Sequence, residues 1–265
     1  MSERVQAPGL SGVWAAQNEH AAWLVLDQAP STLRRVYELD DAPEVEWLFR
    51  ETRYAALEDR SPLLVRTRPD TPLWQAFAEA RGEPPMAGIL LRTTTSPDDL
   101  VAHLRHRLQV AIGPNRRALL RFQDPWVASA LFADESGAAQ WLGPIDGVFW
   151  FGGTFAERAA NGPIWHGLTR TPDAAGESAG ADAPPVPLTP AQHSALQTLA
   201  EQQALWRETG QHVPLDASEP ADAGAFLRAL DEAGRLAIPE NQRVHHLVRQ
   251  LARPAAPPPE PHPPA

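Results

Sequence analysis

Short apolar runs separated by polar, turn-forming stretches recur through the first 170 residues. "WLVLD", "SPLLVRT", "AGILLRT", "ALLRFQ" and "GVFWFGG" are rich in branched or aromatic side chains, with turn residues near their ends, the pattern of strands. Stretches with helical periodicity fall between them, and the spacing predicts helices over 31–39, 43–53, 72–80, 97–110 and 125–133. Alternation of this kind predicts an α/β N-terminal lobe built on a mixed sheet. Beyond residue 188 the period becomes purely helical. Val244, Leu247, Val248 and Leu251 fall at i, i+3, i+4 and i+7, one amphipathic stripe. A second helix is expected over 221–233, with Phe226, Leu227 and Leu230 inward and Gly234 as its stop. This gives a smaller, all-helical C-terminal lobe.

The predicted organisation is therefore an α/β lobe over 1–170, a linker over 171–187, a helical lobe over 188–253 and a tail over 254–265. The linker, "TPDAAGESAGADAPPVP", offers almost nothing to bury. The proline-rich end, "RPAAPPPEPHPPA", cannot fold alone and is expected to stay extended. Four predicted helices share a start: Thr71-Pro72, Ser96-Pro97, Asp124-Pro125 and Thr189-Pro190 each set a capping oxygen before a proline. Ser96 with Asp99 and Thr189 with Gln192 approximate capping boxes.

Composition narrows the chemistry. The 265 residues contain no cysteine, which removes disulfides, thiolate nucleophiles and cysteine-ligated zinc or iron–sulfur centres. All 23 basic residues are arginine, so neither a lysine Schiff base nor a Walker A loop is possible. A net charge of −10 argues against a general nucleic-acid binder. The start, "MSERVQAPGLSG", lacks a signal-peptide pattern, and runs such as "AAWLVL" fall far short of the ~20 apolar residues of a membrane helix. A cytoplasmic protein is expected.

Candidate chemical motifs each have a structural explanation. "GESAG" at 176–180 matches G-x-S-x-G but lacks the strand before it and the helix after it that a nucleophile elbow needs. His103 and His106 sit one helical turn apart, yet Arg105 and Arg107 add positive charge to the same turn. Leu100, Leu104 and Leu108 supply the buried stripe, so both histidines are expected on the solvated face. His245 and His246 diverge around their helix. The carboxylate pairs Asp40-Asp41, Glu58-Asp59 and Asp98-Asp99 belong to turns or a first helical turn. Gly152-Gly153 lacks the remaining spacing of a dinucleotide fingerprint. No catalytic set, metal site or cofactor is expected.

One charge feature stands out. Arg92, Arg105, Arg107, Arg116, Arg117 and Arg121 lie within one interval against only Asp98 and Asp99, a basic island in an acidic protein. Either it is an ordinary solvated face or it docks an acidic partner through the planar guanidinium fork. The candidate interaction surface comprises Arg105, Arg116, Arg117, Arg121 and Trp126. Nine tryptophans, some near expected loops, suit either an interface or a core.

The ordered segments "WLVLDQA", "SPLLVRT", "GILLRTTTSPDDLVAHLRHRLQV", "LLRFQDPWV" and "WLGPIDGVFW" resemble the adaptor, or effector-chaperone, family of bacterial type VI secretion. "HLRHRLQV" at 103–110 and "LRFQDPWV" at 120–127 carry most of the likeness, which covers about 20–150. "LAIPENQRVHHLVRQL" resembles that family's closing helix more loosely. The chain departs from the family pattern at Gln123, where an aromatic is usual, and at Trp126, where an arginine is usual. The resemblance implies a non-enzymatic chaperone that binds a cognate secreted toxin in the cytoplasm and helps load it onto the VgrG spike. Two other readings stay open: an immunity protein that occludes a toxin, and a hydrolase whose residues converge only in the fold.

Overall fold

Continuous apolar strands such as "AAWLVL" and "GVFWFG" need cover on both faces, and they have it. A computed structural model describes residues 2–14, 21–113, 116–170 and 185–252. Seven strands form the main sheet: β1 (Ser2–Ala7), β2 (Ala21–Leu26), β3 (Val45–Trp47), β4 (Leu63–Thr67), β5 (Gly88–Thr93), β8 (Gly147–Gly152) and β9 (Ile164–Arg170). Their order is β1-β9-β8-β5-β2-β4-β3. Every neighbouring pair is antiparallel. A second, three-stranded sheet has the order β10-β6-β7, from β6 (Gln109–Gly113), β7 (Arg116–Leu119) and β10 (Val186–Pro187). In it β10 runs parallel to β6 while β7 runs antiparallel.

The expected mixed sheet is thus the small one. The large sheet is antiparallel because the helical crossovers from β2 to β3 and from β4 to β5 each skip one position, which an antiparallel strand fills, β4 in the first and β2 in the second.

The pleat of the main sheet divides the core in two. Trp23, Val25, Ile89, Leu91, Val148 and Trp150 point to one side, where they meet α4 (Pro97–Arg107), α5 (Pro125–Leu131) and α6 (Glu135–Leu142). Leu24, Leu26, Leu63, Val65, Leu90 and Phe149 point to the other side, with α1 (Leu10–Val13), α2 (Thr32–Leu39) and α3 (Pro72–Ala80). Alternate residues of one strand therefore feed different cores, and this explains why no polar alternation shows in the sequence.

The C-terminal part is helical, as the period indicates: α8 (Pro190–Gly210), α9 (Pro220–Arg235) and α10 (Glu240–Leu251). α8 packs on α5, and α9 packs on α7 (Phe155–Asn161) and α10. The joint is aromatic. Phe155 sits with its ring centroid 4.7 Å from Trp126, 5.1 Å from Trp206 and 5.2 Å from Phe226.

Several boundaries differ from expectation. Residues 43–53 do not form a helix: Val45 and Trp47 are half-buried around an exposed Glu46, a strand's alternation, and Glu51 takes a left-handed φ of 58°. A 3-10 stretch, Ala55–Arg60, follows. α4 stops at Arg107, and Gln109 onward pairs with β7. The strand expected through 118–123 ends at Leu119, leaving Arg121 in a turn closed by the Asp124 N–H on its carbonyl. Gly234 does not end α9. The helix runs to Arg235 and closes where the Ile238 N–H reaches the Ala233 carbonyl at 2.9 Å, with Ala237 at φ 49°. The motif at 176–180 and the tail lie outside the described residues, as does most of the stretch read as a linker, whose last two residues are β10.

Candidate protein-interaction surface

α4 carries Arg105 and Arg107 of the basic island, and local chemistry fixes where it begins. Ser96 Oγ accepts the Asp99 N–H at 3.2 Å, and Pro97 fills a position where no N–H partner is needed. The other three Xaa-Pro starts hold as well: Thr71, Asp124 and Thr189 accept from the N–H groups of Trp74, Trp126 and Gln192. Asp98 and Asp99 open α4, and Arg105, His106 and Arg107 close it, in the sense the helix dipole favours.

Helical phase then separates the basic side chains. Leu100, His103, Leu104 and Arg107 share the buried face. His103 is wholly buried, which corrects the expectation that both histidines face solvent. Its Nε2 donates to the Trp141 carbonyl at 3.2 Å, and Arg107 Nε donates to the same oxygen at 2.8 Å. Arg107 Nη2 adds the Gln140 carbonyl at 3.1 Å. Two basic side chains thus close the C-terminus of α6, whose last carbonyls lack helical partners. Burial first, then the neighbouring Arg107 charge, depress the His103 pKa to about 3. Burial lowers Arg107 to about 10, so it stays charged at neutral pH. Gly143 follows α6 at φ 53°, and a Cβ there would collide with the His103 ring.

The remaining arginines scatter. Arg92 is buried on β5. Arg105 is ion-paired with Glu51 at 2.6 Å and mostly covered. Arg121 reaches Asp27 at 2.6 Å, where Gln123 also donates to that carboxylate at 3.0 Å. Arg116 and Arg117 are exposed on β7 and have no ion-pair partner among the described residues. Trp126 lies in the joint with the C-terminal helices, under the Arg158 guanidinium, whose Cζ is 3.9 Å from the ring centroid. Arg158 itself is buried, donates to the Gly153 and Ala217 carbonyls, and has its pKa lowered by burial to about 10. Asp124 is a cap: its carboxylate accepts the Trp126 N–H at 2.8 Å, while burial raises its pKa.

Of the five residues proposed from sequence, the structure brings Arg105 and Arg117 to one groove of about 420 Å³, and Arg116, next to Arg117 in the chain, does not line it. Arg121 and Trp126 take internal partners elsewhere. The groove also gathers Arg53 and His106, against the single carboxylate of Glu51. Sequence reasoning missed Arg53 because it sat inside a stretch read as helix. It also missed Arg158, although Thr154 and Glu157 around it form a full capping box that spacing could have revealed.

Two larger recesses have the opposite sign. One of about 940 Å³ over Trp23 is walled by Glu44, Glu46, Glu58 and Asp98 with Arg50, and one of about 910 Å³ at the joint holds Glu83, Trp126, Arg158 and Asp216. Among the described residues no three His, Asp or Glu side chains are grouped to hold a metal ion, and no helix is long and apolar enough to cross a membrane.

No curated protein and no solved structure matches the chain. Residues 22–141, a little under half of its length and spanning β2 through α6, match the family model described as Domain of unknown function (DUF4123).

Proposed function

We propose that this protein is a non-enzymatic adaptor that binds a cognate type VI secretion effector in the cytoplasm and helps load it onto the VgrG spike. The observation that carries the reading is the family match over 22–141, a family associated with type VI effector chaperones. That stretch contains both "HLRHRLQV" and "LRFQDPWV" in order. The arrangement of basic groups supports it. Arg107, Arg121 and Arg158 engage carbonyls or carboxylates that brace the fold, while Arg116 and Arg117 stay open to a partner. Binding is stoichiometric and reversible.

Co-expression tests this. The chain should co-purify with one toxin encoded beside it and raise that toxin's soluble level, and deleting it should abolish secretion of that toxin alone. Protection of sensitive cells without any secretion machinery would instead mark an immunity protein. Turnover of a substrate that disappears on replacing one polar residue would mark an enzyme. Either result overturns the adaptor reading.

A further inference from the structure

The small sheet ends in an open strand. Among the described residues, in the order β10-β6-β7, β7 pairs on one side only. The Leu120 N–H bonds the Leu108 carbonyl, so by antiparallel alternation the hydrogen-bonded pair within the ladder is Ala118 with Val110. Arg117 and Leu119, opposite Ala111 and Gln109, therefore direct their own N–H and C=O groups to the free edge. Side chains alternate the other way. Val110 is buried and Ala118 packs on the core, while Arg117 and Leu119 share the outward face. Leu119 is 36% exposed and Ile112 on β6 equally so, two of the few large apolar side chains left in solvent.

Charge selects what this edge can take. Arg117 lines the groove that also holds Arg53, Arg105 and His106, against Glu51 alone. Arg53, Arg116 and Arg117 lack ion-pair partners among the described residues. In a protein of net charge −10 this is a local reversal of sign. A basic segment is repelled by this groove and an acidic one is drawn to it.

We propose that β7 is the docking edge for an acidic, extended segment of the partner protein. The segment adds as a further strand, with main-chain bonds to Arg117 and Leu119. Carboxylates on alternate residues, about 6.8 Å apart along a strand, fall on one face of the added strand, the face of Arg117 and its groove. The apolar residues between them turn to the opposite face, alongside Ala118. Main-chain bonds would supply affinity and the alternate side chains selectivity, as in other strand-addition complexes. The competing explanation is that the arginines only blunt an exposed edge against self-pairing.

The probe is a short fluorescein-labelled peptide of alternating valine and glutamate, titrated into the full chain and read by anisotropy. Its controls are the valine–lysine peptide and a valine–glutamate peptide N-methylated on one edge. The valine–glutamate peptide should bind and protect the amides of Arg117 and Leu119 from hydrogen exchange, with both controls at least about tenfold weaker. Arg117→Glu should weaken binding about tenfold or more, and Arg68→Glu, the same charge change at another exposed arginine, should leave it within about twofold. No binding, equal binding of the lysine peptide, or equal effects of the two reversals overturns the proposal. Circular dichroism melts confirm that both variants fold.

The adaptor reading supplies the partner's identity here, and the two can fail separately. If wild type and Arg117→Glu raise toxin solubility alike, the docking edge is wrong and the adaptor stands. If the peptide binds but no toxin is solubilised, the reverse holds.

Discussion

His103 makes the fold sensitive to mild acid, and the size of the effect follows from its surroundings. The ring is wholly buried and donates from Nε2 to the Trp141 carbonyl, while Nδ1 has no hydrogen-bond partner among the described residues. A proton arriving at Nδ1 would place an imidazolium beside Arg107 with no compensating acceptor. The pKa therefore falls to about 3, from an ordinary value of 6.5. Above pH 6.5 the ring is neutral in both folded and unfolded chains and nothing is lost. As pH drops below that, the unfolded chain takes up a proton that the folded chain refuses until about pH 3, so stability is lost across this window. Between pH 7 and pH 5 the loss from this one group is about 2 kcal/mol.

Urea unfolding followed by tryptophan fluorescence at the two pH values measures it. His103→Gln keeps a neutral donor to Trp141 but cannot titrate, so its stability should change by about 2 kcal/mol less than that of wild type. His166, whose pKa burial also lowers, and Asp124, whose pKa burial raises, titrate in both proteins and cancel in the difference. Arg107→Met removes the repelling charge and should shrink the slope in part. If wild type and His103→Gln change equally from pH 7 to pH 5, the account of His103 as a buried neutral ring is refuted.

Three further substitutions test the local physics. Gly143→Ala combines a φ of 53° with a collision against His103 and should cost about 2 kcal/mol or more, read as a lowered melting temperature. Ala237→Gly relieves a left-handed residue at the end of α9 and should gain about 0.5–1 kcal/mol by urea titration. Asp124→Ala should lose about 0.5–2 kcal/mol while Asp124→Asn keeps most of the cap. Loss of partner capture in Asp124→Asn without loss of stability would show that the carboxylate does more than cap.

The parts of the fold legible in the sequence are those whose cause is local. β2, β5 and β8 announce themselves because both of their faces are covered, leaving unbroken apolar runs. The four capped prolines locate helix starts because cap and proline are adjacent in the chain. β1 and β3 were missed: both are edge strands, in which only Val5 and Ala7, or Val45 and Trp47, meet the core and polar residues fill the rest. The fate of each arginine was legible only in part. Leu100, His103, Leu104, Arg107 and Leu108 follow the i, i+3, i+4, i+7, i+8 stripe, so phase alone already places His103 and Arg107 inward. What phase cannot supply is the acceptor, since the carbonyls of Gln140 and Trp141 lie more than thirty residues further along the chain.

The same geometry separates the roles of the two motifs that carry the family resemblance. In "HLRHRLQV", His103 and Arg107 hold the end of α6. In "LRFQDPWV", Arg121 and Gln123 hold Asp27 at the end of β2, and Asp124 starts α5. The first therefore ties α4 to α6 and the second ties the approach to α5 to the end of β2. The pair of strands between them hangs from these anchored ends: the Leu120 N–H bonds the Leu108 carbonyl at its base, and β6 and β7 extend beyond. A partner strand added at β7 would meet an edge whose position is fixed from both sides by buried, hydrogen-bonded side chains. Weakening a brace should then disturb docking only as far as it lowers stability, whereas Arg117→Glu should disturb docking with stability unchanged. Measuring both quantities on Arg107→Met and Arg117→Glu separates frame from surface, and identical loss of stability and binding in the two variants would show that no such division exists.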